Sequence, residues 1–141
     1  MNESNRRIAN KTAYRVIYGD TDQMGVVYYA NYLRWFEKGR SEFLRQINVP
    51  YSNIEAQGFQ FPVTEVTCRY CQFARYDDVI VIQTEIAVIG RASLVFCYRV
   101  SRETDDCLLA TGTTKHACIG RNGRVARIPA TLATAIAEPV F

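Results

Sequence analysis

Between Ala30 and Ile47 the apolar residues Leu33, Phe36, Phe43, Leu44 and Ile47 recur at helical spacing. Asn48 and Pro50 stop the run. The segment predicts the longest helix of the chain, and it carries one continuous aromatic and aliphatic face, with Trp35, Phe36 and Phe43 as core residues. Such a face needs a sheet to cover it. The rest of the chain supplies the strands. Thr12–Tyr18 alternates polar and apolar residues, while Phe61–Phe73, Val79–Ile89, Ala92–Ser101 and Cys107–Ile119 are rich in Val, Ile, Thr, Tyr and Phe between Asp, Gly and charged turns. Asn122-Gly123 predicts a tight turn into a short arm, Arg124–Ile128, and Pro129 opens a small final helix through Ala137. The order strand, long helix, four strands, short helix is met most simply by an α+β fold, a curved antiparallel sheet wrapped around one buried helix.

A chain of 141 residues is about one domain's worth. No repeat, low-complexity tract or linker divides it, so residues 1–141 read as a single domain with an ordered core over 11–138. At 48% hydrophobic and 22% charged residues the chain is too apolar for disorder. Its longest uncharged stretch, Gln23 to Leu33, is only 11 residues, short of the ~18 that a membrane helix requires, so no membrane span is expected. The first residues, Met1 to Lys11, hold basic side chains with no apolar block behind them, which predicts a cytoplasmic protein whose five cysteines are reduced thiols. The 17 basic residues are scattered rather than gathered, which excludes a nucleic-acid arm. The net charge of +3 suits a small anionic ligand such as a phosphorylated cofactor, and equally an ordinary solvated surface.

Several chemistries lack their parts. The glycines never fall two apart, so there is no dinucleotide-binding G-x-G-x-x-G, and no P-loop or G-x-S-x-G nucleophile turn occurs. The sole histidine, His116, falls inside a predicted strand as a partly buried residue. Cys68 and Cys71 form a C-x-x-C, but strand positions three apart face opposite ways and no second pair or nearby histidine completes a site, so no metal is expected. What remains is the acidic turn Gly19-Asp20-Thr21-Asp22 ahead of the long helix. Asp20 and Asp22 could simply cap that turn. A carboxylate at the mouth of a helix could also activate water or attack directly, with free N–H groups of the first helical turn receiving an oxyanion.

At full length, Tyr18 to Tyr32 closely resembles the signature of the hotdog-fold thioesterases, nearest to the 4-hydroxybenzoyl-CoA type and the Tol-Pal-associated acyl-CoA type. The likeness continues through Phe61-Pro62-Val63, Tyr76-Asp77-Asp78, Gly90-Arg91-Ala92-Ser93-Leu94-Val95 and Arg127-Ile128-Pro129. It implies the hotdog fold, and Asp22 as the catalytic carboxylate with the backbone N–H of Tyr29 polarising the thioester carbonyl. Asp20 would be structural. Arg91 and Ser93 would contact CoA, and Tyr28 and Val63 the substrate, with Tyr32 a further candidate for the acyl pocket. Tyr29 stands where many Tol-Pal-associated members carry His, and the basic cluster of the hydroxybenzoyl type is thinned to Gly90-Arg91-Ala92-Ser93. Another branch of hotdog thioesterases places its carboxylate on the central helix, where Glu37 would be the residue concerned.

The implied partner is an acyl-CoA, as substrate and not as cofactor; the implied assembly is a homodimer holding its active sites at the interface, paired into a dimer of dimers. A thioester expels a thiolate whose conjugate acid has a pKa of about 8.5, so a lone carboxylate suffices without a general acid. The resulting expectation is hydrolysis of a short-chain or aromatic acyl-CoA. Alternatives are an acyl-carrier-protein thioesterase and a noncatalytic acyl-CoA-binding hotdog module.

Overall fold

The strand-rich half of the chain closes around the long helix, as the periodicity predicts. The computed structural model describes residues 8–137. Strand β1 (Ala9–Arg15) leads through a 3₁₀ turn (Tyr18–Asp20) to α1 (Asn31–Gln46) and a short α2 (Tyr51–Ala56); β2 (Val63–Tyr70), β3 (Val79–Ile89), β4 (Ser93–Arg102) and β5 (Leu108–Ala117) follow, and α3 (Ala130–Ala137) ends the described chain. The strands form one five-stranded antiparallel sheet in the order β1-β3-β4-β5-β2. Tight connections join the β3-β4-β5 meander, while both edge strands, β1 and β2, come from the N-terminal half.

Two details differ from the sequence reading. Strand β1 lies three residues earlier than Thr12–Tyr18, because Val16 N–H is drawn to Asp78 O (2.8 Å) and Ile17 N–H to the Asp20 carboxylate (2.9 Å), which bends the chain out of the ladder. Helix α2 was not expected. Its six residues bury Ile54 alone, too little for a periodic signal.

Helix α1 buries Tyr32, Trp35, Phe36, Gly39, Phe43 and Leu44 against the sheet, and Leu33 is left exposed. Phe36 stacks on Tyr98 of β4 with ring centroids 4.3 Å apart, and Phe43 meets Phe96 edge-on at 5.8 Å. The helix ends where the sequence places its stop: Asn48 takes a left-handed conformation (φ 62°), Asn48 N–H donates to Arg45 O and Val49 N–H to Leu44 O, which satisfies the last carbonyls. Strand β2 is exposed on both faces apart from half-buried Cys68. Among the described residues no helix is long and apolar enough to cross a membrane.

Close approach of helix to sheet depends on Gly39, where a Cβ would collide with the Thr84 hydroxyl and lie 2.8 Å from Ile82 Cγ2. Gly39→Ala gains about 1 kcal/mol of helix propensity, but overpacking a fixed helix-sheet contact costs about 1–3 kcal/mol. We expect a net loss of stability, read as a lower urea midpoint at unchanged slope.

Candidate active site

The acidic turn is held from inside by Asp20. Its side chain accepts hydrogen bonds from the Tyr14 hydroxyl (2.7 Å) and Ile17 N–H (2.9 Å), and its carbonyl accepts from Tyr28 N–H (2.8 Å) and the Asn31 amide (2.9 Å). Buried at 7% exposure, it is a carboxylate committed to joining β1 to the start of α1. Burial, and then the neighbouring Asp20, push the Tyr14 hydroxyl up to about 12, so it stays a donor.

Asp22 is placed differently. Its backbone closes a tight loop, N–H to Val26 O at 2.9 Å and carbonyl from Gly25 N–H at 3.0 Å, with Gly25 at φ 76°, where a side chain would be strained. Its Oδ1 accepts Met24 N–H (2.8 Å), while Oδ2 has no protein donor among the described residues. Val27 N–H, bonded to Ala74 O at 2.8 Å, fixes this loop to the segment after β2.

The half-buried Asp22 side chain and Tyr29 line one cavity of about 260 Å³ with Val27, Tyr32, Tyr70 and Phe73. Tyr29 lies two residues before α1, next to the N-cap Ala30, and its N–H donates to no group among the described residues. The Tyr29 carbonyl accepts the Tyr70 hydroxyl at 2.9 Å, and Tyr70 also meets the Tyr32 ring edge-on at 5.1 Å. Burial, followed by its hydrogen bond with Cys68, raises the Tyr70 hydroxyl far above the ordinary tyrosine range and keeps it a donor. Asp22 and Tyr29 thus border one partly enclosed space, and a carboxylate together with a backbone donor is the equipment for attack on a carbonyl and stabilisation of the oxyanion. Tyr70 and Phe73 escape sequence reasoning because they reach the cavity through sheet pairing. Tyr28 packs its ring on Tyr29 (4.7 Å) and stands outside the cavity lining.

The other expected residues lie at the far end of the sheet. Val63 lines a second cavity of about 290 Å³, together with Glu37, Arg40, Phe96 and His116. Arg91 sits in the β3–β4 turn and Ser93 opens β4, with Gly90 N–H donating to Ser93 O (2.8 Å); Arg91 O accepts from the N–H of Ile128 (2.8 Å), the residue after Arg127. Val63 and Tyr70 are opposite ends of β2, so at ~3.3 Å per residue the two groups of residues are separated by roughly 23 Å along the strand. Cys68 lies in β2, and Cys71, just past its end, is exposed at the rim of the Asp22 cavity; both are free thiols. No group of three metal-binding side chains occurs among the described residues.

A helix cradled in a curved antiparallel sheet, with an acidic turn at the helix mouth, defines the hotdog-fold thioesterases. The chain belongs to the thioesterase-like superfamily, whose family model matches residues 16–136, and it is a thioester hydrolase. It is 39% identical over 106 residues to the acyl-CoA thioesterase YbgC of Haemophilus influenzae, covering 74% of this chain and 76% of that protein. Among solved structures it resembles the hypothetical protein TT1821 of Thermus thermophilus (TM-score 0.85, 38% identity, covering 92% and 95% of the two chains). The DHNA-CoA thioesterase of Staphylococcus aureus is also similar (TM-score 0.80, 29% identity, covering 84% and 80%).

His116 is more deeply buried than expected, at 2% exposure, with Nδ1 2.9 Å from Phe61 O and Nε2 2.8 Å from Thr114 Oγ1. Burial depresses its pKa below the ordinary value, against the opposing bond to Phe61. The unfolded chain therefore binds a proton that the folded chain refuses, so this residue's contribution is complete above its unfolded pKa of about 6.5 and is lost as pH falls toward the folded value. Thermal unfolding of wild type and His116→Gln between pH 7.5 and 5 should show a steeper fall for wild type below about pH 6.5. Equal slopes would contradict the buried neutral imidazole.

Proposed function

We propose that the protein is an acyl-CoA thioesterase in which the Asp22 carboxylate acts on a thioester carbonyl held by the backbone N–H of Tyr29. The observation that carries this reading is the shared cavity: Asp22, and Tyr29 whose N–H donates to no group among the described residues, border the same space ahead of α1. The carbonyl oxygen accepts from Tyr29 N–H and gains negative charge as Asp22 attacks, forming an acyl–Asp22 anhydride that water then hydrolyses to regenerate the carboxylate, or as a water deprotonated by Asp22 attacks directly. Collapse expels the CoA thiolate, which needs no proton donor to leave. One water is consumed, and the products are the free acid and CoA. The names of the relatives support a CoA thioester as substrate, with short-chain or aromatic acyl groups in the expected range.

The placement of the remaining residues supports a homodimer. Strand β2 offers an open edge and two exposed faces. An antiparallel pairing of two copies about a two-fold axis near Val66 and Thr67 would bring the Val63 end of one protomer to the Tyr70 end of its partner. A composite site would then combine Asp22 and Tyr29 of one protomer with Val63, Arg91 and Ser93 of the other, and Arg91, with Arg127 nearby, would meet the CoA phosphates. A dimer of dimers extends the same arrangement.

Three substitutions test the assignment by thiol release from acyl-CoA substrates, with an acyl-carrier-protein thioester for comparison. Asp22→Asn keeps the side chain's shape but not its basicity, so kcat should collapse while substrate binding persists. Normal turnover by folded Asp22→Asn would refute its role. Tyr29→Pro removes one oxyanion donor at a position next to a helix start that tolerates proline. It should lose on the order of 10²–10³ in kcat, whereas Tyr29→Phe should stay active, provided circular dichroism and size-exclusion show intact assembly.

Arg91→Ala tests CoA contact separately. It should raise KM for acyl-CoA more than it lowers kcat, and leave a thioester truncated before the nucleotide nearly unaffected. Equal losses on both substrates would remove Arg91 from the nucleotide site.

A further inference from the structure

The 290 Å³ cavity at the Val63 end is lined largely by apolar residues, Leu44, Ile54, Phe61, Leu94, Phe96 and Leu132 among them, and Arg40 and Glu37 of α1 both border it. A half-buried guanidinium is expected to face a carboxylate. Here none of the ion pairs among the described residues involves Arg40; Glu37, one turn earlier on the helix and on the border of the same cavity, is exposed and makes no ion pair with it. What accompanies Arg40 instead is a neutral polar chain. The Tyr98 hydroxyl lies against Arg40, Tyr98 and Thr114 share a 2.5 Å hydrogen bond, and Thr114 Oγ1 meets His116 Nε2 at 2.8 Å. Tyr98, Thr114 and His116 are all 2–3% exposed, so this support is fixed by the core. Burial keeps the imidazole neutral, with Arg40's charge acting in the same direction. The cation is therefore held in place but not neutralised.

We propose that this cavity receives the distal end of the acyl group and that Arg40 selects short acyl chains ending in a carboxylate. The inference rests on the thioesterase reading and on the β2-paired dimer, which together set this cavity beside the partner's Asp22 turn. At about 30 Å³ per water-sized group the space holds an acyl group of about ten non-hydrogen atoms and excludes a long fatty chain. A terminal carboxylate entering it replaces hydration with charge-assisted hydrogen bonds from a pre-positioned guanidinium. A terminal methyl leaves that cation desolvated and without a partner.

The test compares glutaryl-CoA, its neutral methyl ester and hexanoyl-CoA as substrates of the full chain, measured as kcat/KM by thiol release. Wild type should favour glutaryl-CoA over the ester by roughly tenfold or more, the scale of a charged hydrogen bond. Arg40→Met keeps the aliphatic stem and should lower glutaryl-CoA turnover roughly ten- to hundredfold while leaving hexanoyl-CoA within about threefold; Arg40→Lys should recover part of the loss. Equal losses on both substrates, or a wild-type preference for the neutral ester, hexanoyl-CoA or 4-hydroxybenzoyl-CoA, would overturn the assignment. If Arg40→Met fails to fold, the wild-type comparison of glutaryl-CoA with its ester decides alone. Turnover through Asp22 without carboxylate preference defeats only this inference; no turnover of any thioester by the folded protein defeats the thioesterase reading and this one with it.

Discussion

A buried carboxylate governs how this molecule is put together. Asp20 is withdrawn from water and repaid with hydrogen bonds from Tyr14 and Ile17, while its carbonyl collects Tyr28 and Asn31. These contacts tie the end of β1 to the first turn of α1, elements that neither pair nor continue one another. The connection between them is pinned along its length by backbone hydrogen bonds of Asp22, Val26 and Val27 as well. Asp22 stands at its tip, and Tyr29 at the point where the loop becomes helix. One aspartate of the turn thus gives up its reactivity to shape the backbone, and the other keeps an oxygen uncommitted. In the proposed reading the two carboxylates divide structure from chemistry within three residues of sequence.

The chemistry proposed for that tip asks little of the protein. Thiolate is a competent leaving group near neutral pH, so a histidine is unnecessary, and the only one present is locked between Phe61 and Thr114. Recognition is assigned elsewhere, to the Val63 end of β2 and the β3–β4 turn. The fold separates these functions by the length of one edge strand, and two-fold pairing along that strand would reunite them between protomers.

Much of this was legible in the sequence where local and tertiary demands agree. The α1 periodicity, the Asn48 stop, the β3 boundaries and the Pro129 helix start all reflect residues whose local preference matches their final packing. Strand β1 slipped by three residues because Asp20 captures Ile17 N–H from a distance that strand patterning does not register. Helix α2 was silent because a single buried residue has no period. Leu33 fits the helical spacing yet faces solvent, since the curl of the sheet meets α1 along Tyr32, Phe36 and Gly39 instead. The acidic turn was readable as a motif, but the cavity partners Tyr70 and Phe73 arrive from more than forty positions downstream of Tyr29, through the β2–β5 pairing and the loop beyond it. The position of Arg40 among apolar neighbours has no sequence signature at all.

The strand order has a consequence for how the chain reaches its native state during synthesis. β1 and β2 are emitted first, yet they occupy opposite edges and never touch; β1 waits for β3, and β2 waits for β5. When α1 leaves the ribosome its aromatic face has no sheet to cover it, and the central strands that will do so are still untranslated. The N-terminal half is therefore a nascent chain with an uncovered hydrophobic helix and two orphan strands, the state that chaperones recognise. The meander β3-β4-β5, joined by short connections, can form by local pairing as soon as it emerges. β1 and β2 find their native partners only on that meander, so completing the sheet depends on a segment translated after both of them.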